Sequence, residues 1–213
     1  MRYIFILILF FSCTNQNLKS DIDQKVDDVI SQMTLEEKVG QMTQINLTVI
    51  AKGPNKWESS FPMEIDDNKA NRALVKFKVG SVLNTINNTA QKPNVWFNNI
   101  SKIQDIAMNK NRLGIPVIYG IDAIHGNGMV RGCTIYPSPI SLASTFSDEY
   151  AYRVGKETSK EMRATGSHWA FTPNVDVLRD PRWGRVGETF GEDPYLVGSC
   201  LLYTSPSPRD NRT

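Results

Sequence analysis

Histidine is nearly missing from this chain, which has only two among 213 residues, His125 and His168. Asp122, His125, His168 and Asp176 are hard or borderline metal ligands. Even so, there is no H-E-x-x-H and the two histidines do not share a helix face, so the pattern disfavours a zinc hydrolase and no metal or other cofactor is expected. Cysteine is almost as scarce. Cys13, Cys133 and Cys200 are too widely spaced for a disulfide framework or a metal finger. Charge of one sign is lacking too: the formal net charge is +2 with acids and bases interspersed, which gives no basic face for nucleic acid and no acidic tail. No apolar run reaches the roughly 20 residues that a membrane-spanning helix needs. Gly126-Asn127-Gly128 starts like a dinucleotide loop, but its third glycine falls at Gly132, one residue too late for G-x-G-x-x-G.

The chain does begin with a leader-like segment. Met1-Arg2, an apolar stretch from Tyr3 to Phe11, and then Ser12-Cys13 form a charged start, a short apolar run and a small residue. The cysteine after the small residue resembles a bacterial lipobox, with Phe10 where leucine is usual. The expectation is a signal peptide of lipoprotein type over residues 1–12, lipid attachment at Cys13 and a polar tether over 13–26. Export to the periplasm or outer membrane would follow, with membrane contact only through the lipid.

The remainder has an ordinary globular balance, 40% apolar and 22% charged. Helical spacing joins Ile22, Val26, Val29, Ile30 and Met33, and Thr34-Leu35-Glu36-Glu37 forms a capping box for a second helix carrying Val39 and Met42. A third helix runs from Asp66 to Lys78, with Ala70, Ala73, Leu74 and Phe77 on one face; Ser81 to Ile86 then reads as a buried strand. Trp96, Ile100, Ile103 and Ala107 mark another helix, and Ile115 to Asp122 a strand that ends in a carboxylate. Ser147 is placed to cap a helix through Ala151, Val154 and Met162, and His168 to Thr172 is the next strand. Helices alternating with short apolar strands predict an α/β fold with parallel strands. Asp122 and the Asn174/Asp176 pair stand at carboxyl ends of strands, where barrel enzymes build their sites, although open sheets also bind ligands there.

Asp122 lies in "YGIDAIHGNG", where a carboxylate could accept hydrogen bonds from two neighbouring hydroxyls or simply serve as a cap or a partner for arginine. His125 could act as a ligand or base, or merely hydrogen-bond within its loop. The stretch "LRDPRWGRVGETFGEDP" from Leu178 to Pro194 holds two prolines and three glycines and cannot be a regular helix or a central strand. In this loop Arg179 and Arg182 flank Asp180. Two of the three arginines are expected to pair with acids such as Glu188, Glu192 and Asp193, while Trp183 either stacks on a sugar face or plugs the loop. The side chains say "rigid polar loop at a site" and no more.

Three segments in order, "MTLEEKVGQM", "YGIDAIHGNG" and "RATGSHWAFTPNVDVLRDPRWGRVGETFGEDP", resemble family three of the glycoside hydrolases. The resemblance covers most of 27–199 and implies the N-terminal part of a (β/α)8 TIM-like barrel. It implies a secreted exo-acting β-glycosidase, β-glucosidase-like, that hydrolyses terminal β-D-glucosyl residues of an oligosaccharide or β-glucoside by retaining double displacement. By the same resemblance Asp122 and Arg185 bind the terminal sugar, and Arg179, Asp180, Arg182 and Trp183 frame the loop. The family's Lys-His pair, nucleophilic aspartate and acid/base all lie beyond the "GEDP" loop, so no catalytic residue is assigned within the chain. The proline-rich stretch 200–213 departs from the family pattern and reads as a non-native tail. The alternative is a non-catalytic sugar-binding envelope lipoprotein. On the leading reading the purified chain alone does not cleave an aryl β-glucoside, and a colorimetric assay that detects robust release of the aryl alcohol would overturn it.

Overall fold

A computed structural model describes residues 20–55 and 58–204. Cys13, its leader and the tail beyond Thr204 lie outside the described residues. Residues 20–33 and 34–204 belong to separate compact units. The first unit contains α1 (Asp21–Gln32), which begins inside the stretch read as a tether. Its start is a capping box: the Asp23 amide donates to Ser20 Oγ at 3.1 Å and the Ser20 amide to Asp23 Oδ2 at 3.2 Å. Its apolar stripe, Ile22, Val26 and Ile30, is exposed.

The second unit has four parallel strands, β1 (Gln44–Asn46), β2 (Ser81–Leu83), β3 (Ile118–Ile121) and β4 (Trp169–Ala170). They neighbour one another in chain order, with Ile45 opposite Val82, Val82 opposite Tyr119 and Ile121 opposite Ala170. A doubly wound sheet reverses its order at a switch point. The order here does not reverse, as in the wall of a barrel. The two faces of the sheet differ accordingly. Ile45, Val82, Tyr119, Ile121 and Ala170 point into the main apolar core, whereas on the opposite face Ile118 is 49% and Trp169 47% exposed.

The helices are α2 (Leu35–Gln41), α3 (Asp67–Ala70), α4 (Pro93–Lys110), α5 (Pro139–Ala143), α6 (Asp148–Ala164) and α7 (Pro194–Thr204). In α4, Trp96, Ile100, Ile103 and Ala107 are all buried, as their spacing predicts. The expected capping box of α2 is present, with the Thr34 amide donating to Glu37 Oε2 at 2.9 Å and the Glu37 amide to Thr34 Oγ1 at 3.2 Å. Arg112 Nη2 also donates to Glu37 at 2.7 Å, tying the start of α2 to the segment after α4 and holding the Glu37 carboxyl below the usual range.

Several expected details differ. Val39 and Met42 are exposed, because α2 turns Gly40 inward instead. There the Gly80 amide donates to the Gly40 carbonyl at 2.9 Å, and the backbones pass so closely that a Cβ on Gly80 would sit 2.5 Å from the Gln41 carbonyl oxygen. The expected third helix continues from α3 as a π-helical stretch, Asn71–Lys76. Its wider turn rotates Phe77 off the buried stripe, and the Arg72 and Lys76 cations lie 5.6 and 5.7 Å from the exposed ring. Ser147 starts α6 without a side-chain cap. The strand expected from Ser81 to Ile86 ends at Leu83, since Asn84 takes a left-handed φ of 60°. Cys200, in α7, is buried with Leu142, Ala151, Phe190 and Val197.

Buried amides complete the frame. Asn99 Nδ2 donates to the Met63 carbonyl at 2.9 Å while its Oδ1 accepts from the Ile65 amide at 2.9 Å, so a side chain on α4 replaces a strand partner for that segment. The glycine crossing is the more sensitive element. Gly80→Ala is expected to destabilise the chain by about 1–3 kcal/mol in urea unfolding, because backbone must move, whereas Gly184→Ala, with open space where its Cβ would sit, should change stability by less than about 0.5 kcal/mol.

Candidate functional site at the strand ends

The parallel ladder delivers the residue after each strand to the same rim. After β3 comes Asp122, exposed, and after β2 comes Asn84. The two interlock: Asn84 Nδ2 donates to Asp122 Oδ2 at 2.6 Å, and the Asp122 amide donates to Asn84 Oδ1 at 2.9 Å. Asn84 is itself pinned, its amide donating to the Gly120 carbonyl at 2.9 Å and its carbonyl accepting from the Tyr119 hydroxyl at 2.6 Å. Burial pushes the Tyr119 phenol far above its ordinary pKa, so it stays protonated and remains a donor.

Past β4 the chain passes Phe171, whose ring fills the space a Cβ on Gly120 would need, 2.4 Å from it. The long loop follows, and its base closes where the Leu178 amide donates to the Gly191 carbonyl at 2.9 Å. Buried Thr189 and Phe190 root its far end. Within it, Arg185 Nη2 and Nε donate to Glu188 Oε2 at 2.6 and 3.1 Å, and Asn174 Nδ2 donates to the same oxygen at 3.0 Å. The hydrogen bond from Arg185 holds the Glu188 carboxyl below its usual range. That same bond raises the Arg185 pKa, and the charges of Asp176 and Asp122 act in the same direction. The rim thus gathers Asn84, Asp122, Asn174, Asp176, Arg185 and Glu188 from three strand ends.

The other expected loop residues form a neighbouring group. Arg182 forks onto Asp180, with Nε at 3.0 and 3.1 Å from its two oxygens, and lowers that carboxyl's pKa. The Trp183 amide donates to the Asp180 carbonyl at 3.1 Å and its side chain is half-buried. Arg179 is exposed. Two arginines do pair with acids: Arg185 with Glu188, one of the acids expected, and Arg182 with Asp180 rather than Glu192 or Asp193, because short local spacing brings that carboxylate nearest. His125 is exposed; its backbone carbonyl accepts from the Tyr136 amide at 2.8 Å. Among the described residues no three His, Cys, Asp or Glu side chains are grouped to hold a metal ion. A half-open cavity of about 310 Å³ lies behind Asn174 between α5 and α6. Leu142, Val154, Met162 and Phe190 make it mostly apolar, and it shares only Asn174 with the rim.

Asn84 is the site member that sequence reading missed; Glu188 was expected there only as a partner for an arginine. An asparagine directly after a strand signals a left-handed residue, and a glutamate three residues after an arginine signals a local pair.

The profile of the glycosyl hydrolase family 3 N-terminal domain matches residues 34–204. The chain is 34% identical over 195 residues to a lysosomal beta glucosidase of Dictyostelium discoideum, covering 86% of this chain and 22% of that protein. It is 31% identical over 189 residues to a beta-xylosidase of Formosa agariphila, covering 86% and 18%. In structure it resembles an exo-1,3/1,4-beta-glucanase from a Pseudoalteromonas species, with a TM-score of 0.68, 30% identity, and coverage of 85% of this chain and 21% of that one. The chain thus spans about a fifth of the length of the relatives it matches.

The lowered Glu188 pKa fixes a pH window for the loop. A carboxylate whose folded pKa lies below its unfolded value stabilises the fold above the ordinary glutamate range and releases it as pH falls through the lowered value. Hydrogen exchange at the Thr189 amide, corrected for intrinsic rate, should therefore stay slow from neutral pH down through the ordinary glutamate range and quicken only below it. Glu188→Gln should quicken it already at pH 7.

Proposed function

Because the chain belongs to glycosyl hydrolase family 3, as the match over residues 34–204 establishes, we propose that it forms the sugar-gripping part of an exo-acting β-glycosidase that hydrolyses terminal β-D-glucosyl residues. The observation that supports this reading is that Asp122 and the loop bearing Arg185 follow the carboxyl ends of the neighbouring parallel strands β3 and β4. A carboxylate accepts hydrogen bonds from sugar hydroxyls and a guanidinium donates them, so the two together can hold opposite parts of one hexose. Arg179, Asp180, Arg182 and Trp183 act as the frame of the loop that carries Arg185.

The reaction is a retaining double displacement. A carboxylate attacks the anomeric carbon while a carboxylic acid about 5 Å away protonates the departing glycosidic oxygen; water, deprotonated by that second group, then releases the sugar. In this reading neither group belongs to the chain's own rim. Asp122, Asp176 and Glu188 hold the sugar or the loop, and the nucleophile and acid/base come from sequence following the "GEDP" loop. The glucoside preference rests on the motif context, and the relatives' names include both a glucosidase and a xylosidase. Export as a Cys13 lipoprotein is part of the same proposal and rests on the first thirteen residues alone. Among the described residues no helix is long and apolar enough to cross a membrane.

In the full-length natural protein, Arg185→Ala is expected to lower kcat/KM for an aryl β-glucoside by about 100-fold, the scale of losing a charged hydrogen-bonding partner. Lys110→Ala, at the far end of α4, should change it less than twofold. Equal effects would remove Arg185 from the sugar site. A parallel assay with aryl β-xyloside and aryl β-N-acetylglucosaminide ranks the three sugars.

A further inference from the structure

Asn84 lies outside every motif that drew attention in the sequence, yet each of its polar groups is committed. Its amide and carbonyl are fixed by Gly120 and Tyr119, and its side chain both gives a hydrogen bond to Asp122 and takes one from it. Its left-handed φ of 60° turns the side chain from the end of β2 toward the end of β3. This conformation is uncommon outside glycine, asparagine and aspartate, and here it serves a particular contact.

We propose that Asn84 is a positioning residue for sugar binding. It occupies Oδ2 of Asp122, fixes the rotation of that carboxylate and leaves Oδ1 as the oxygen presented to a ligand hydroxyl. The inference rests on the reading that Asp122 binds sugar. The physical case has three parts. An exposed aspartate on its own rotates freely about its side-chain bonds, and ordering it on binding costs affinity. The amide removes that cost in advance through a charge-assisted bond of 2.6 Å. It does so without neutralising the carboxylate, as an arginine or lysine partner would, so the full charge remains available to polarise a hydroxyl.

Asn84→Gly separates the side chain from the backbone, because glycine accepts the same φ without strain. In the full-length natural protein, calorimetric titration with D-glucose should show about tenfold weaker binding for Asn84→Gly, with the thermal midpoint within a few degrees of the wild type. Asp122→Ala should weaken binding at least as much, and the double variant should bind no worse than Asp122→Ala alone, since Asn84 acts only through that carboxylate. An Asn84→Gly affinity equal to wild type, or losses that add in the double variant, would overturn the proposal while leaving Asp122 as a sugar ligand. Unchanged binding in Asp122→Ala would overturn the sugar-site reading itself, and the proposal with it.

Asn84→Asp gives an independent readout that a purely structural role would not move. It sets a second carboxylate against Asp122, with Asp176, Arg185 and Glu188 the other charged groups at the rim. Two carboxylates at that distance share a proton as pH falls. Relative to wild type, its glucose affinity should be poor at pH 7 and recover as pH falls, where the shared proton restores a donor. A pH-independent ratio would overturn the proposal.

Discussion

Strands that run in one direction and neighbour one another in chain order carry their carboxyl ends to a single rim, and every functional feature of this chain depends on that constraint. Because β1 to β4 follow the order of the chain without a reversal, Asn84, Asp122 and Asn174 emerge side by side although some 90 residues separate the first from the last. The helices between the strands set how closely they can approach. The Gly40–Gly80 crossing brings the end of α2 against the start of β2, and the contact between Gly120 and Phe171 ties the backbone of β3 to the exit of β4. Both are places where a side chain has been left out so that two pieces of backbone, or a ring and a backbone, can touch.

The rim carries two kinds of charge held in two ways. Asp122 is steadied by a neutral amide and keeps its full negative charge. Arg185 is steadied by the carboxylate of Glu188, which offsets part of its charge while aiming its planar fork. Both sit near water, so neither pair adds much to stability. Their effect is geometric: each removes rotational freedom from a long or exposed side chain before any ligand arrives.

Much of this was legible in the sequence. The α4 stripe of Trp96, Ile100, Ile103 and Ala107, the Thr34–Glu37 capping box, and the carboxylate after β3 followed from periodicity and local hydrogen bonding alone. Other features depended on tertiary context that periodicity does not encode. Phe77 left its stripe because a π-helical turn changed the phase, and Val39 and Met42 face water because two glycines, not two apolar side chains, make the α2 contact. The pairing of Arg185 with Glu188 was among those foreseen, whereas that of Arg182 with Asp180 was foreseen in kind but not in partner. Composition identifies which charges are available, and loop closure decides which ones meet. Asn84 was missed because a polar residue ending a short strand has no periodic signature; its role appears only once β2 and β3 lie side by side.

The loop after β3 holds one more consequence, in the chemical lifetime of the chain. Asparagine followed by glycine is the pair most open to cyclisation and deamidation, since the glycine amide can attack the asparagine side chain, and asparagine is among the residues lost first on heating. In the fold both reacting groups are occupied. The Gly128 amide donates to the Gly126 carbonyl at 3.0 Å, and buried Asn127 donates from Nδ2 to Thr165 Oγ1 at 2.9 Å and accepts at Oδ1 from the Met129 amide at 3.3 Å. The same contacts that anchor the loop to the end of α6 therefore shield its weakest covalent link, so that the chain ages at this position only while it is unfolded.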